Sequence, residues 1–175
     1  SLFKGAERET VIDGIPVSRR GNGLLFNYWV YANIRRFVKT HKIDLVVDDV
    51  NKIPFFISRW VNKPVVSIFH HLFSKSIFHE CSLLPASYVW LSEKLIGVGY
   101  KNSHFTAVSQ STFDELIGKG LQKTNGVIIH NGIDLQLYTP VPEQKIKNHL
   151  LFIGRIKKYK NTSSLIPIFA ELKKS

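Results

Sequence analysis

Five short apolar runs, separated by helical stretches, constrain the fold of this chain more than any other feature of its sequence. The runs lie at residues 45–47, 65–69, 105–108, 127–129 and 150–153. Each run is apolar without alternation, which is typical of strands in parallel sheets that helices cover on both faces. The sequence therefore predicts an α/β fold, with a Rossmann-like parallel sheet and helices on both of its faces.

Two helices are predicted from the segments around the first runs. Residues 24–39 show the apolar spacing of an amphipathic helix. The apolar positions of that pattern are Leu25, Trp29, Ala32 and Phe37. Residues 53–61 predict a second, short helix, because Pro54 suits a first helical turn.

The prolines and charges of residues 140–148 indicate an interdomain linker. Residues 1–139 are then expected to form the latter part of one domain. Residues 149–175 contain a single strand and a helix that breaks off mid-course, which cannot form a domain alone. We therefore expect a fragment of a longer chain, ending in the start of a second Rossmann-like domain.

Charge and cysteine content narrow the classes of partner and site. The formal net charge is +11, which favours anionic partners such as nucleic acid, acidic lipid headgroups or phosphorylated small molecules. The single cysteine, Cys81, excludes an internal disulfide and a cysteine-based zinc cluster. No apolar stretch approaches the roughly 20 residues that cross a bilayer, so we expect a cytoplasmic protein.

Polar residues follow the apolar runs, where parallel sheets bind their ligands. They are Asp48, Asp49, Asn51, His70, His71, Ser109, His130, Asn131, Gly132, Gly154 and Arg155. Adjacent side chains at a strand end point to opposite faces, so neither the histidine pair nor the aspartate pair predicts a metal site. Asp48 and Asp49 are instead expected in a solvated turn.

Four motifs occur in a characteristic order along the chain. They are His70-His71, Val108-Ser109-Gln110-Ser111, Asn131-Gly132-Ile133-Asp134, and Gly154-Arg155 with Lys160 five residues later. In this order they resemble the group 1 (family four) retaining glycosyltransferases of the GT-B architecture. The resemblance extends from about Asp44 to the end of the chain.

The resemblance implies two Rossmann-like domains that face each other across a cleft. The first would bind a glycan or lipid-linked acceptor, and the second a nucleotide-sugar donor. The implied reaction is sugar transfer to a hydroxyl group with retention, in glycan, glycolipid or cell-envelope polysaccharide synthesis. The Gly-rich loop and the Glu-x7-Glu element of that family are missing from this sequence, so the fragment alone is expected to be inactive.

The resemblance also implies roles for single residues. Arg155 and Lys160, beside Gly154, would hold the donor diphosphate, so that neither a metal ion nor another cofactor is needed. His70 would contact the donor sugar. The other implied cleft residues are His71, Ser109, Asn131 and Gly132. Considered alone, these residues also fit a basic turn, a helix cap at Ser109 and a tight Asn-Gly turn.

Two alternatives to catalysis stay open. The first is a non-catalytic basic α/β module that binds nucleic acid or an anionic membrane. No RNA- or DNA-reading motif is present, so a specific nucleic acid is not expected. A peripheral position on the inner face of a membrane fits the aromatic and basic residues of segment 24–39. The second alternative is a chain that keeps the family fold but has lost catalysis.

Overall fold

The computed structural model of the chain describes residues 3–21, 26–141, 146–156 and 160–173. The chain divides into two units. The first comprises Ser1–Leu72 and Ser92–Ile129, and the second comprises Phe73–Leu91 and His130–Ser175. Leu25 of the first predicted helix, Pro142 of the predicted linker and residues 157–159 lie outside the described residues.

A four-stranded parallel sheet is the centre of the first unit. Its strands are β3 (Val46–Val50), β4 (Val65–Phe69), β5 (His104–Ala107) and β6 (Gly126–Ile128), in the order β3-β4-β5-β6. An antiparallel hairpin of β1 (Glu9–Ile12) and β2 (Ile15–Ser18) precedes the sheet. The predicted Rossmann-like α/β fold is thereby confirmed.

Only a 3-10 turn lies between β3 and β4, whereas the later strands of the sheet are connected through helices as predicted. The helices of the described residues are α1 (Phe26–Thr40), α2 (Leu83–Lys94), α3 (Ile96–Gly99), α4 (Gln110–Gly118) and α5 (Leu165–Leu172). Short 3-10 turns cover Ile57–Arg59, Ser74–His79, Lys123–Asn125 and Thr162–Ser164.

Burial alternates along the strands and distinguishes the two faces of the sheet. In β4, Val65, Ser67 and Phe69 are buried, whereas Val66 and Ile68 between them are half-buried. The buried face meets the first unit's larger core cluster, which consists of Val50, Phe69, Ile96, Tyr100, Phe105, Ala107, Phe113, Leu116 and Leu121. The expectation of strands that are buried on both faces therefore holds fully for one face only.

Helix α1 packs through a face that shares Trp29 with the predicted one but is centred on Val30, Ile34 and Val38. Val30 and Val38 are buried, and Trp29 and Ile34 pack beside them in a second cluster that includes Val65. Val30, Ile34 and Val38 follow one another at intervals of four residues, which places them on one helix face. Ala32 is exposed, so its predicted place on the buried face is wrong.

The helix predicted over residues 53–61 is wrong. Only the 3-10 turn Ile57–Arg59 forms there, because Phe56 adopts a left-handed conformation with φ of 52°. A bulky residue in that conformation interrupts the regular helical path.

The strand predicted at residues 150–153 is also wrong, because that run has no regular secondary structure. Leu151 and Ile153 are each 84% exposed. A strand needs a neighbour to pair with its backbone groups, and the described part of the second unit contains none.

A close backbone approach gives a stability prediction in the first unit. A Cβ atom on Gly97 of α3 would lie 1.8 Å from the carbonyl oxygen of Lys119, so the backbone must move. We expect Gly97→Ala to lower the free energy of unfolding by about 1–3 kcal/mol in urea denaturation. Gly118→Ala is the matched control, because a Cβ there meets nothing within 4 Å. Equal effects of the two substitutions would contradict this packing.

Candidate functional site

The carboxyl-terminal edge of the sheet brings two of the expected site residues together in the first unit. His70 directly follows β4, and Ser109 lies two residues after the end of β5. Asp49, the fourth residue of β3, shares this edge. Since Asp49 pairs with Ile68, and Ile68 and His70 lie two residues apart, Asp49 and His70 emerge on the same face.

The His70 imidazole contacts the Asp49 carboxylate. The distance from His70 Nε2 to Asp49 Oδ1 is 2.8 Å, and the two side chains are 40% and 67% exposed. A carboxylate can only accept a hydrogen bond, so Nε2 carries the hydrogen. The contact fixes the orientation of the ring at the sheet edge, and Nδ1 remains as its second polar atom.

Ser109 caps helix α4, as the sequence predicts. Its backbone is extended, and its Oγ accepts a hydrogen bond from the backbone N–H of Thr112 at 3.2 Å. The Thr112 hydroxyl in turn donates to the carbonyl oxygen of His70 at 3.4 Å. The first turn of α4 is thus tied to the segment that carries His70. His71, the next residue along the chain, is exposed.

The prediction that Asp48 lies in a solvated turn is wrong. Asp48 lies inside β3 and is only 2% exposed. The Tyr100 hydroxyl donates to Asp48 Oδ2 at 2.7 Å and accepts from the backbone N–H of Phe56 at 2.9 Å. The Ile57 N–H also lies 3.5 Å from Oδ2. Asp48 and Tyr100 therefore contact the backbone at the start of the 3-10 turn Ile57–Arg59.

Burial raises the pKa values of both Asp48 and Tyr100. Removal from water raises the pKa of Asp48 above its ordinary value, and the hydrogen bond from Tyr100 opposes that rise. Burial and the neighbouring Asp48 charge raise the pKa of Tyr100. Ser67 lies opposite Asp48 in the strand register. Asp48 Oδ1 and Ser67 Oγ are both buried without a hydrogen-bond partner among the described residues.

Sequence reasoning missed Tyr100, and it treated Asp49 only as part of a turn. The chain separations explain this, since Tyr100 lies 52 residues from Asp48 and His70 lies 21 residues from Asp49. Strand order alone could have suggested the second pair, because neighbouring parallel strands end at the same edge.

The remaining expected residues belong to the second unit and are exposed. They are Asn131, Gly132, Gly154, Arg155 and Lys160. None of the first four lies in a helix or strand, so Gly154 does not follow a strand as predicted.

The tight turn predicted at Asn131 and Gly132 is wrong, because neither residue lies in a turn and neither has the positive φ that the prediction assumed. The next turn is instead held by Asp134. Its Oδ1 accepts hydrogen bonds from the backbone N–H groups of Gln136 and Leu137 at 2.9 and 3.2 Å. The acidic residue that ends the Asn-Gly-Ile-Asp motif therefore organises the turn, as short Asp side chains commonly do.

The described residues contain neither a metal-binding cluster nor a membrane-spanning helix. No group of three or more histidine, cysteine, aspartate or glutamate side chains there is arranged to hold a metal ion. No helix there is long and apolar enough to cross a membrane.

Comparison with known proteins gives one match. No curated protein and no solved structure matches the chain. The family model described as Glycosyltransferase Family 4 matches residues 3–137. These residues make up well over half of the chain and include Asp49, His70 and Ser109, while Gly154 and Arg155 lie beyond the match. The chain therefore belongs to Glycosyltransferase Family 4, and its domain is that of a glycosyltransferase.

Proposed function

We propose that the protein transfers a sugar from a nucleotide-sugar donor to a hydroxyl group of a glycan or lipid-linked acceptor, with retention of configuration. The observation that carries the proposal is a half-exposed histidine, His70, that Asp49 orients at the carboxyl-terminal edge of the sheet in a glycosyltransferase domain. Synthesis of glycans, glycolipids or cell-envelope polysaccharide is the proposed setting. The net charge of +11 favours a position at the inner face of an anionic membrane.

His70 is proposed to position the donor sugar. Asp49 occupies Nε2, so Nδ1 is the ring atom that is left to form a hydrogen bond with a sugar hydroxyl. The ring is already oriented before the substrate binds, which lowers the entropic cost of productive binding.

Arg155 and Lys160, beside Gly154, are proposed to bind the donor diphosphate. Negative charge grows on the diphosphate as the glycosidic bond breaks, and fixed cations stabilise that charge in the transition state. A guanidinium can hold two phosphate oxygens in a fork, and an ammonium adds a compact charge. This arrangement would require no metal ion or cofactor.

The proposal is tested in the full-length protein by measuring release of nucleoside diphosphate from a panel of nucleotide sugars. His70→Ala is expected to lower kcat/KM about fivefold to thirtyfold, which corresponds to a lost hydrogen bond of about 1–2 kcal/mol. The control His149→Ala removes an exposed histidine of the second unit and should leave the rate unchanged. Absence of turnover with every donor, or equal rates for both variants, would contradict the proposal.

Asp49 is proposed as a positioning residue, and the kinetic constants can distinguish this role from a structural one. Asp49→Ala is expected to lower kcat about fivefold with little change in KM, because the ring loses its fixed orientation. Asp49→Asn keeps an acceptor for the Nε2 hydrogen and should recover most of the loss. Because Asp49 is 67% exposed, thermal unfolding of both variants should match that of the wild type. An Asn variant as slow as the Ala variant would exclude this role.

A further inference from the structure

A cavity opens at the amino-terminal edge of the sheet in the first unit. It has a volume of about 450 Å³ and lies between α1 and the segment that leads into β4. Besides two valines, its lining residues are Arg35, Lys39, Trp60, Asn62 and Lys63.

The cavity is separate from the edge that carries His70. Asn62 and Lys63 precede β4, whereas His70 follows it. Five strand residues span about 16 Å at the usual rise per residue. A ligand in this cavity would therefore bind apart from the proposed reaction.

The wall of the cavity combines the aromatic ring of Trp60, which contacts from α1 fix in place, with polar groups. Trp60 packs against Tyr31, with ring centroids 5.7 Å apart. Arg35 Nε donates to the carbonyl oxygen of Trp60 at 2.6 Å, which ties α1 to this wall. A rigid indole offers a flat apolar surface for the C–H face of a sugar ring, and the Asn62 amide supplies both a donor and an acceptor for hydroxyl groups.

The positive charges that line the cavity favour an anionic ligand. Arg35, Lys39 and Lys63 line it, and none of the lining residues is acidic. Lys63 contacts Asp44 at 3.6 Å, but Asp44 is 97% exposed, so this surface pair is weak. Three cations around a small cavity favour a ligand with a carboxylate or phosphate group.

We propose that this cavity binds a saccharide that carries an anionic group, either a carboxylate or a phosphate. The ring would pack on Trp60, and the anionic group would lie among Arg35, Lys39 and Lys63. The inference rests on this cavity alone, so its test does not require transfer activity.

The test follows the indole N–H resonance of Trp60 by NMR, assigned with a Trp60→Phe variant. The probes are glucuronate, glucose 6-phosphate, neutral glucose and inorganic phosphate. At least one anionic sugar should give a saturable shift, with glucose and phosphate binding at least about tenfold more weakly. A shift with glucuronate alone identifies a carboxylate ligand, and a shift with glucose 6-phosphate alone identifies a phosphate ester.

Two matched variants distinguish specific binding in the cavity from non-specific attraction to the positive surface. Lys39→Ala is expected to weaken binding of the anionic sugar about tenfold. Arg36→Ala removes the same charge from an exposed position of α1 outside the cavity, and should leave binding unchanged. Equal weakening by both variants, equal binding of inorganic phosphate, or no saturable shift with any probe would overturn the proposal.

Discussion

Replacing Arg155 by alanine is expected to lower the turnover of the full-length protein about 10²–10³-fold. The reason is electrostatic, since one fixed cation facing the departing diphosphate contributes on the order of 3–4 kcal/mol to transition-state stabilisation. Arg155 is exposed, so its removal should change the free energy of unfolding by less than about 0.5 kcal/mol. Steady-state kinetics and urea denaturation of the same preparation measure both quantities.

A matched control separates this role from the loss of one positive charge. Lys147→Ala removes an exposed cation of the second unit that has no proposed role. Its turnover should equal that of the wild type, and Arg155→Lys should be intermediate because it keeps the charge but loses the fork. If Arg155→Ala turned over at the wild-type rate, Arg155 would have no part in the mechanism.

Tyr100→Phe is expected to be the most destabilising of the substitutions considered, lowering the free energy of unfolding by about 3–5 kcal/mol. The tyrosine is fully buried, and its hydroxyl both donates to Asp48 and accepts from the Phe56 N–H. Its loss leaves the buried Asp48 carboxyl and the part-buried Phe56 N–H without that partner, at about 1–3 kcal/mol each. Tyr28→Phe, at a position 65% exposed, should change stability by less than about 0.5 kcal/mol.

The effect of Tyr100→Phe is also expected to depend on pH. Burial raises the pKa of Asp48, so above about pH 4 the unfolded chain releases this proton while the folded protein keeps it. Stability is therefore lost as the pH rises from about 4 towards the folded-state pKa. The Tyr100 hydrogen bond opposes the shift, so its removal raises the pKa further and widens this window.

Urea denaturation at pH 4 and pH 7 tests this dependence. The destabilisation by Tyr100→Phe should be greater at pH 7, and the difference between the two pH values should vanish when Asp48 is also replaced by asparagine. A pH difference that persists in the double variant would assign the effect to another group.

Strand positions could be predicted because buried parallel strands consist of consecutive apolar residues. The run at residues 65–69 coincides with β4, and two further runs overlap β5 and β6. The run at residues 150–153 has the same composition but forms no strand, because composition alone does not supply a neighbour.

Buried polar contacts could not be predicted in the same way. Asp48 looks like a turn residue because ionisable side chains are rarely buried. Its burial depends on Tyr100, which lies 52 residues away, and the same contact holds Phe56 in its left-handed conformation. Tertiary contacts thus account for both the burial of Asp48 and the absence of the helix predicted after it.

In the candidate site too, features set by neighbouring residues could be predicted, whereas contacts between residues far apart in the chain could not. The Ser109 cap is a local signal, and the sequence predicted it. The contact between Asp49 and His70 depends on the order of β3 and β4, which a single sequence does not display. The role of Arg155 rests on resemblance and stays a prediction.

Product stereochemistry tests the central claim of retaining sugar transfer most directly. The measurement is the anomeric proton coupling of the first-formed product, recorded by NMR with the full-length protein and its active nucleotide-sugar donor. Retaining transfer predicts that the new glycosidic bond has the anomeric configuration of the donor. A product with the opposite configuration, or nucleotide release without any glycoside formed, would contradict it.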